Sequence, residues 1–203
     1  MSLHWKTISP QMRTLLDRFM GFPPLDSFYL VGGTALALRF GHRTSIDLDL
    51  FTHQSFEASR LLEDLQKTFS LSEVSVRENT VTGKTDGIKV DFMAHRYPLI
   101  ANPEDQQDVR MVSLEDSAAM KLNAVANRGS KKDFWDICEL LRHFSKEQLL
   151  GFYEQKYPHR NTWMVEKSLT YFEDADPEPD PIDLTGRIWQ DIKTEILAHC
   201  RLD

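Results

Sequence analysis

The 203-residue chain predicts an α/β protein of the segregated, α+β kind. A small mixed sheet flanked by helices is expected over residues 1–112, followed by a C-terminal helical bundle over residues 113–203. Three observations predict it. Short apolar runs of strand length dominate the first half. Helical spacing of apolar residues dominates from Ser113 onward. Turn residues punctuate the chain between the runs, so strands and helices fall in an order that fits sheet and helices packed as layers.

In order, Ser9-Pro10 opens a first helix, with Ser as N-cap and Pro at the first helical position. It runs to Phe19, and Gly21-Phe22-Pro23-Pro24 ends it. Residues 28–31 form a strand that ends in Gly32-Gly33. Residues 34–40 form a short helix. Gly41-His42-Arg43-Thr44 turns the chain into a second apolar run holding Asp47-Leu48-Asp49, with Ile46, Leu48 and Leu50 expected to face a core. Ser55 is expected to cap the next helix, whose apolar side carries Phe56, Leu61, Leu62 and Leu65. Residues 71–78 alternate as a strand. Residues 81–83 and 88–94 read as arms of a hairpin around 84–87, with Asp86-Gly87 as turn chemistry.

Ser113 with Asp116 resembles a capping box and opens a helix carrying Leu114, Ala118, Leu122 and Val125. Arg128-Gly129 breaks it. Further helices are expected at 131–143, from Ser145 (with Gln148 as its capping partner), at 162–172 and at 184–200, the last with Ile188, Ile192, Ile196 and Leu197 on one side. Residues 173–183 are rich in acid and proline and read as a loop.

Composition narrows the function. A hydrophobic fraction of 41% with 27% charged residues is ordinary for a globular chain. No apolar run approaches the ~20 residues of a membrane span, and the first ten residues lack a signal-peptide core. A cytoplasmic protein without membrane partners is expected. Cys138 and Cys200 supply neither a disulfide framework nor a zinc motif. The net charge of -7 argues against a general nucleic-acid-coating protein. Much of that acid lies within 173–183, and the remainder of the chain is nearer neutral.

The chemistry centres on residues 29–51. On a strand, side chains two apart share a face, so Asp47 and Asp49 project together. Adjacent carboxylates repel unless a cation neutralises them, and hard oxygen ligands suit Mg²⁺ (or Mn²⁺) beside substrate phosphates. Gly32-Gly33 sits at a strand-to-helix turn, where bare N–H groups and the helix dipole attract phosphate. Together they read as a nucleotide-handling site. The competing readings are a solvated edge strand for the Asp pair and a plain turn for the glycines.

Three blocks resemble the nucleotidyltransferase superfamily, and within it the AbiEii/AbiGii toxin group. They are Gly32-Gly33 through Asp47-x-Asp49; Ile88-Lys89-Val90-Asp91-Phe92; and Ser113-Leu114-Glu115-Asp116 through Met120-Lys121-Leu122, Arg128-Gly129 and Lys132-Asp133-Phe134-Trp135-Asp136. The likeness spans residues 28 to about 141. It implies a metal-dependent transfer of a nucleoside monophosphate from a nucleoside triphosphate to a hydroxyl. The acceptor class it suggests is tRNA, and the biological setting a toxin–antitoxin or phage-defence pair with a cognate antitoxin. Asp47 and Asp49 would bind the metals. Asp91 would complete the metal site and accept the hydroxyl proton. Gly32, Gly33 and Thr34 would contact the triphosphate, with Arg43 and its neighbour His42 within reach.

Lys121 stands among apolar residues, where a cation either reaches water or meets a phosphate. With Arg128 and Lys132 it would grip a triphosphate or an RNA backbone, and it would share one face with them were the helix continuous. Asp133 and Asp136 share a helix face and would orient Lys121 or Arg128 by salt bridges; a dipole role serves Asp133 equally. Ser45 would support the metal site. Lys89 is read as a partner across the sheet. Two alternatives stay open: a small-molecule nucleotidyltransferase with an aminoglycoside-like acceptor, and a nucleotide- or partner-binding module without turnover.

Overall fold

Seven strands form one mixed sheet in the order β3-β4-β5-β2-β1-β7-β6 in a computed structural model that describes residues 2–200. The outermost ends of the two expected regions, residue 1 and residues 201–203, lie outside the described residues. The strands are β1 (Tyr29–Val31), β2 (Asp47–Thr52), β3 (Leu71–Arg77), β4 (Thr80–Thr85), β5 (Ile88–Ala94), β6 (Glu104–Gln106) and β7 (Val109–Met111). The helices are α1 (Pro10–Met20), α2 (Gly32–Phe40), α3 (Ala58–Thr68), α4 (Leu114–Asn127), α5 (Lys131–Leu140), α6 (Lys146–Lys156), α7 (Thr162–Ser168) and α8 (Trp189–Cys200). Among the described residues, no helix is long and apolar enough to cross a membrane.

Alternation in β2 and β5 sets the layering. Leu48, Leu50, Val90 and Phe92 are fully buried and join Phe19 of α1 and Leu65 of α3 in one apolar cluster. Phe92 meets Phe19 and Phe28 edge-on, with ring centroids at 5.4 and 6.2 Å. The opposite side of the same strands carries Asp47, Asp49 and Asp91. A second cluster holds Leu36 of α2 together with the buried faces of α4, α5, α6, α7 and α8. That face of the sheet is therefore overhung by helices without being filled by them.

Local chemistry explains most element ends. Ser9 caps α1 and accepts from the Met12 N–H, and Ser145 with Gln148 makes the reciprocal capping box of α6. Asp86 and Gly87 both take positive φ, 52° and 80°, which makes a two-residue primed turn. The hairpin is tighter than expected, because Lys84 and Thr85 stay in the ladder opposite Lys89 and Ile88.

Several expectations are corrected. Ile46 precedes β2 and is 74% exposed, since the core-facing alternation begins only at Leu48. Ser55 does not cap α3; Glu57 does, and the Phe56 N–H goes to Asn79 Oδ1. The helix from Lys131 ends at Leu140, and α7 stops at Ser168. The last helix starts at Trp189 because the Asp183 carboxylate accepts from the N–H groups of Thr185 and Arg187, closing a turn there. Ile188 falls outside it and is 61% exposed, while Ile192 and Ile196 are buried. The β6–β7 hairpin was not expected: residues 104–108 are polar, and β7 is ordered by parallel pairing with β1.

One polar anchor ties α4 to α6. Asp116 is fully buried and takes the Lys156 ammonium at 2.5 Å on one oxygen. Its other oxygen accepts from the Ser113 hydroxyl and from the N–H groups of Ile100 and Ala101. Removing one partner of such a pair strands the other. Asp116→Ala should therefore destabilise the fold by about 3–5 kcal/mol in urea denaturation. A loss below about 1 kcal/mol would mean that Lys156 finds another partner or water.

Candidate active site

Where β1 ends, the chain passes directly into α2, and the two glycines do different work. Gly32 has φ +71°, and a Cβ there would lie 2.6 Å from Asp49 Oδ2. Val31 is registered opposite Asp49, so the glycine gives that carboxylate its space. At Gly33 a Cβ would lie 2.3 Å from Arg43 Nη2. No side chain caps the first turn of α2. Its donors are left at the edge of a cleft of about 690 Å³, which both glycines line. That is a volume suited to a nucleotide-sized ligand.

The floor of the cleft is the sheet face opposite the apolar cluster. Parallel pairing of β2 and β5 sets Asp47 opposite Lys89, Asp49 opposite Asp91 and Phe51 opposite Met93. Asp49 and Asp91 thus stand side by side, with Asp47 one step along. Burial, then Asp91 and Asp47, push the Asp49 carboxyl above its ordinary range, with Lys89 and Lys121 opposing them. Lys89 Nζ lies 2.6 Å from Asp91 Oδ2, while Asp91 Oδ1 is buried with no hydrogen-bond partner. Among the described residues no three acidic, His or Cys side chains are already closed round one point. The donor set is nonetheless all hard oxygen, with one oxygen orphaned and one carboxyl disfavoured as an anion, which fits Mg²⁺ or Mn²⁺.

The roof is cationic. Asp136 of α5 is fully buried and accepts from Arg43 Nε at 2.7 Å, Arg43 Nη2 at 2.8 Å and His42 Nε2 at 2.8 Å. Lys121 Nζ sits 2.8 Å from Asp136 and 2.9 Å from Asp133. Arg128 grips both oxygens of Asp133, at 2.8 and 2.9 Å. Burial alone would raise the Asp136 and Asp133 pKa values, yet Arg43, Lys121 and Arg128 reverse this, holding Asp133 low and Asp136 well below the usual range. Three cations, Arg43, Lys121 and Arg128, face two carboxylates, so cations outnumber acids there by one. Lys132 Nζ lies 3.9 Å from Asp47 Oδ2 and is half-exposed.

Most of the expected site residues meet here. Gly32, Gly33, Arg43, Ser45, Asp47, Asp49, Asp91, Lys121, Arg128 and Lys132 line the one cleft, and Asp133 and Asp136 stand behind it. Two expectations change. Thr34 is buried, its hydroxyl bonded to the Ser45 hydroxyl and the Asp47 carbonyl, so it braces the start of β2 instead of facing a phosphate. Arg43 spends its donors on Asp136 and the Thr44 carbonyl, which replaces the expected nucleotide contact by a structural one. The helix breaks where Arg128-Gly129 was expected to break it: α4 ends at Asn127, Gly129 has φ +54°, and Lys121 and Arg128 both meet Asp133.

Sequence reasoning gave no role to the acidic loop, yet residues 178–182 form one wall of the cleft. Glu178 accepts from the Lys131 N–H at the start of α5, and Asp180 takes the Lys131 ammonium. The available signal was Lys131, the first of two lysines ahead of Asp133.

A raised carboxyl pKa carries a stability consequence. Because the folded pKa of Asp49 exceeds the unfolded one, ionising it opposes folding, and stability is lost as pH rises through the folded value. Asp49→Asn should therefore raise the melting temperature of the metal-free protein at pH 7, by about 1 kcal/mol in stability. The gain should shrink near pH 4. An equal or lower melting temperature at pH 7 would contradict the electrostatic account.

The model of the family described as nucleotidyl transferase AbiEii toxin, type IV TA system, matches residues 14–200. A protein of Aquifex aeolicus, itself uncharacterised, is 37% identical over 182 residues, covering 85% of this chain and 87% of its own. MenT4, a nucleotidyltransferase toxin of Mycobacterium tuberculosis, superposes with a TM-score of 0.59 at 17% identity, over 93% of this chain and 84% of its own. JHP933 of Helicobacter pylori gives 0.58 at 18% identity, over 95% and 91%. The two structures show the shared fold, and the family match with the Aquifex relative settles the kinship: this chain belongs to the AbiEii family of nucleotidyltransferase toxins.

Proposed function

We propose that the protein transfers a nucleoside monophosphate from a nucleoside triphosphate to a hydroxyl on an RNA acceptor, in a Mg²⁺- or Mn²⁺-dependent reaction, as the toxin of a toxin–antitoxin pair. The observation that carries this is the facing of Asp49 and Asp91, with Asp47 beside them, across a cleft from a cationic roof. Asp47, Asp49 and Asp91 would hold the divalent cation, which supplies charge neutralisation at the α-phosphate. The chain's own contribution is placement. Gly32 and Gly33 let the backbone approach the phosphates, and Arg128 and Lys132 hold the outer ones. Lys121, kept charged by Asp133 and Asp136, turns the excess positive charge of the roof toward the anionic transition state.

In the reaction the acceptor oxygen bonds to the α-phosphorus and the bond to the bridging oxygen of the β-phosphate breaks. Pyrophosphate leaves, and Asp91 Oδ1, which has no competing partner, takes the hydroxyl proton. An RNA acceptor, tRNA among them, is favoured over a cationic small molecule by the state of the cleft wall. The acids that would attract a cation, Glu178 and Asp180, are occupied by Lys131. The exposed charges on the opposite wall are Arg128 and Lys132.

The test is label transfer from each α-labelled nucleoside triphosphate to total tRNA with Mg²⁺. Wild type should label RNA, and Asp49→Asn should lose roughly a thousandfold or more. Lys132→Ala should weaken nucleotide binding about tenfold while the protein still folds. Labelling that survives in Asp49→Asn, or that needs no divalent cation, would overturn the reading.

A further inference from the structure

Besides Lys132, which lies 3.9 Å from Asp47 Oδ2, the ammonium groups of Lys121 and Lys89 stand near the carboxylate floor, and these two are held in opposite ways. Lys121 is 5% exposed, wedged between two fully buried carboxylates that belong to the roof. It cannot leave without taking a cation partner from both Asp133 and Asp136. Lys89 is on β5, two residues before Asp91 and on the same face, and its side chain is 53% exposed. It touches one carboxylate oxygen, Asp91 Oδ2 at 2.6 Å, and the fields of Asp49 and Asp47 reach it as well. Its stem lies along the rim of the cleft, so the ammonium can swing into water and leave no void behind.

The floor itself needs a cation whether or not metal is present. Asp49 and Asp91 are neighbours in register, and Asp91 Oδ1 has no partner. Like charges at this distance are unfavourable unless compensated. A divalent cation on Asp91 would bring two positive charges beside a third on Lys89, so the two cations compete for the one carboxylate.

We propose that Lys89 is a removable counter-ion. In the metal-free protein it neutralises Asp91 and its neighbours, and the divalent cation displaces it. The released ammonium then stands at the mouth of the cleft, within the reach of its four-carbon stem, as a further donor to the phosphates of the bound nucleotide. Metal uptake and the gain of that donor are one event. Lys89 is in this sense a positioning residue: it holds the Asp91 carboxylate in place on the floor until metal arrives. The inference rests on the metal-binding reading of Asp47, Asp49 and Asp91 and adds a competitor that reading does not contain.

The decisive experiment is a Mn²⁺ titration without nucleotide, followed by electron paramagnetic resonance of free Mn²⁺ and by calorimetry. The proteins are wild type, Lys89→Ala, Lys89→Arg and Asp91→Asn, each first shown to melt cooperatively. Lys89→Ala should bind Mn²⁺ about tenfold more tightly than wild type, Lys89→Arg like wild type, and Asp91→Asn far more weakly than either. The same Lys89→Ala protein should bind a nucleoside triphosphate less tightly once saturated with Mn²⁺. If Asp91→Asn loses Mn²⁺ while Lys89→Ala binds it no better than wild type, the counter-ion inference is wrong and the metal reading stands. If Asp91→Asn binds Mn²⁺ as wild type does, the metal reading is wrong and the inference falls with it.

Discussion

The Asp136 carboxylate is the point at which the sheet half and the helical half are locked together. It has no exposure, and it is held by Arg43 and His42 from the turn before β2 and by Lys121 from α4, while sitting itself on α5. A charge placed there is tolerable only because each of its oxygens is bonded to a cation or donor. Replacing the set by apolar residues of similar volume need not cost stability, and such pairs are poor evidence of stabilisation. What the network does supply is direction. It permits one placement of α5 against α4 and of both against the strand carrying Asp47 and Asp49. Gly33 belongs to the same constraint, because a side chain there would enter the Arg43 guanidinium.

That placement has an electrostatic result. Acids that belong to the roof are consumed by roof cations, and one positive charge remains over. Acids that belong to the floor are not consumed in the same way: Asp49 is held above its ordinary pKa, and one oxygen of Asp91 has no partner. The cleft therefore presents an unsatisfied negative floor below a positive ceiling a few residues away. A polyphosphate carrying a divalent cation complements both layers at once. Neither a bare cation nor a bare phosphate complements more than one. This preorganisation is what a reaction that develops charge at phosphorus requires.

Much of this was legible in the chain because it is local. Strand alternation around Asp47, Asp49 and Asp91 can be read from residues two apart, and β2 and β5 carry them as read. The primed turn at Asp86-Gly87 and the capping box at Ser145 are four-residue signals. What was not legible depends on partners distant in sequence. Thr34 reads as a phosphate-contacting hydroxyl after a glycine pair, but the return of β2 places the Asp47 carbonyl above it. Arg43 reads as a free cation, but its carboxylate partner lies 93 residues on. The β6–β7 hairpin has no apolar pattern and exists because β1 offers an edge. The alternation rule also misplaced Ile46, since periodicity gives the faces of a strand without saying where the strand begins.

The acidic proline-rich segment shows why net charge is a poor guide to a cleft. Its six acids make much of the chain's -7. In the fold, Glu178 caps the start of α5, Asp180 pairs with Lys131, Asp176 accepts from Trp189 and Lys193, and Asp183 accepts from Trp135 and turns the chain into Arg187. Backbone bonds from Thr44 to Ile182 and from Leu184 to His42 stitch the segment to the turn that carries Arg43. These four of its six acids are thus bonded to the chain's own donors. Prolines at 177, 179 and 181 lower the entropy lost in holding such an extended wall. The sign of the potential met by a substrate is set instead by the groups that face the cleft: the carboxylates of the floor, and the partly exposed Arg128 and Lys132 on the wall facing the segment. A chain that is acidic overall can in this way keep a basic approach for a polyanion.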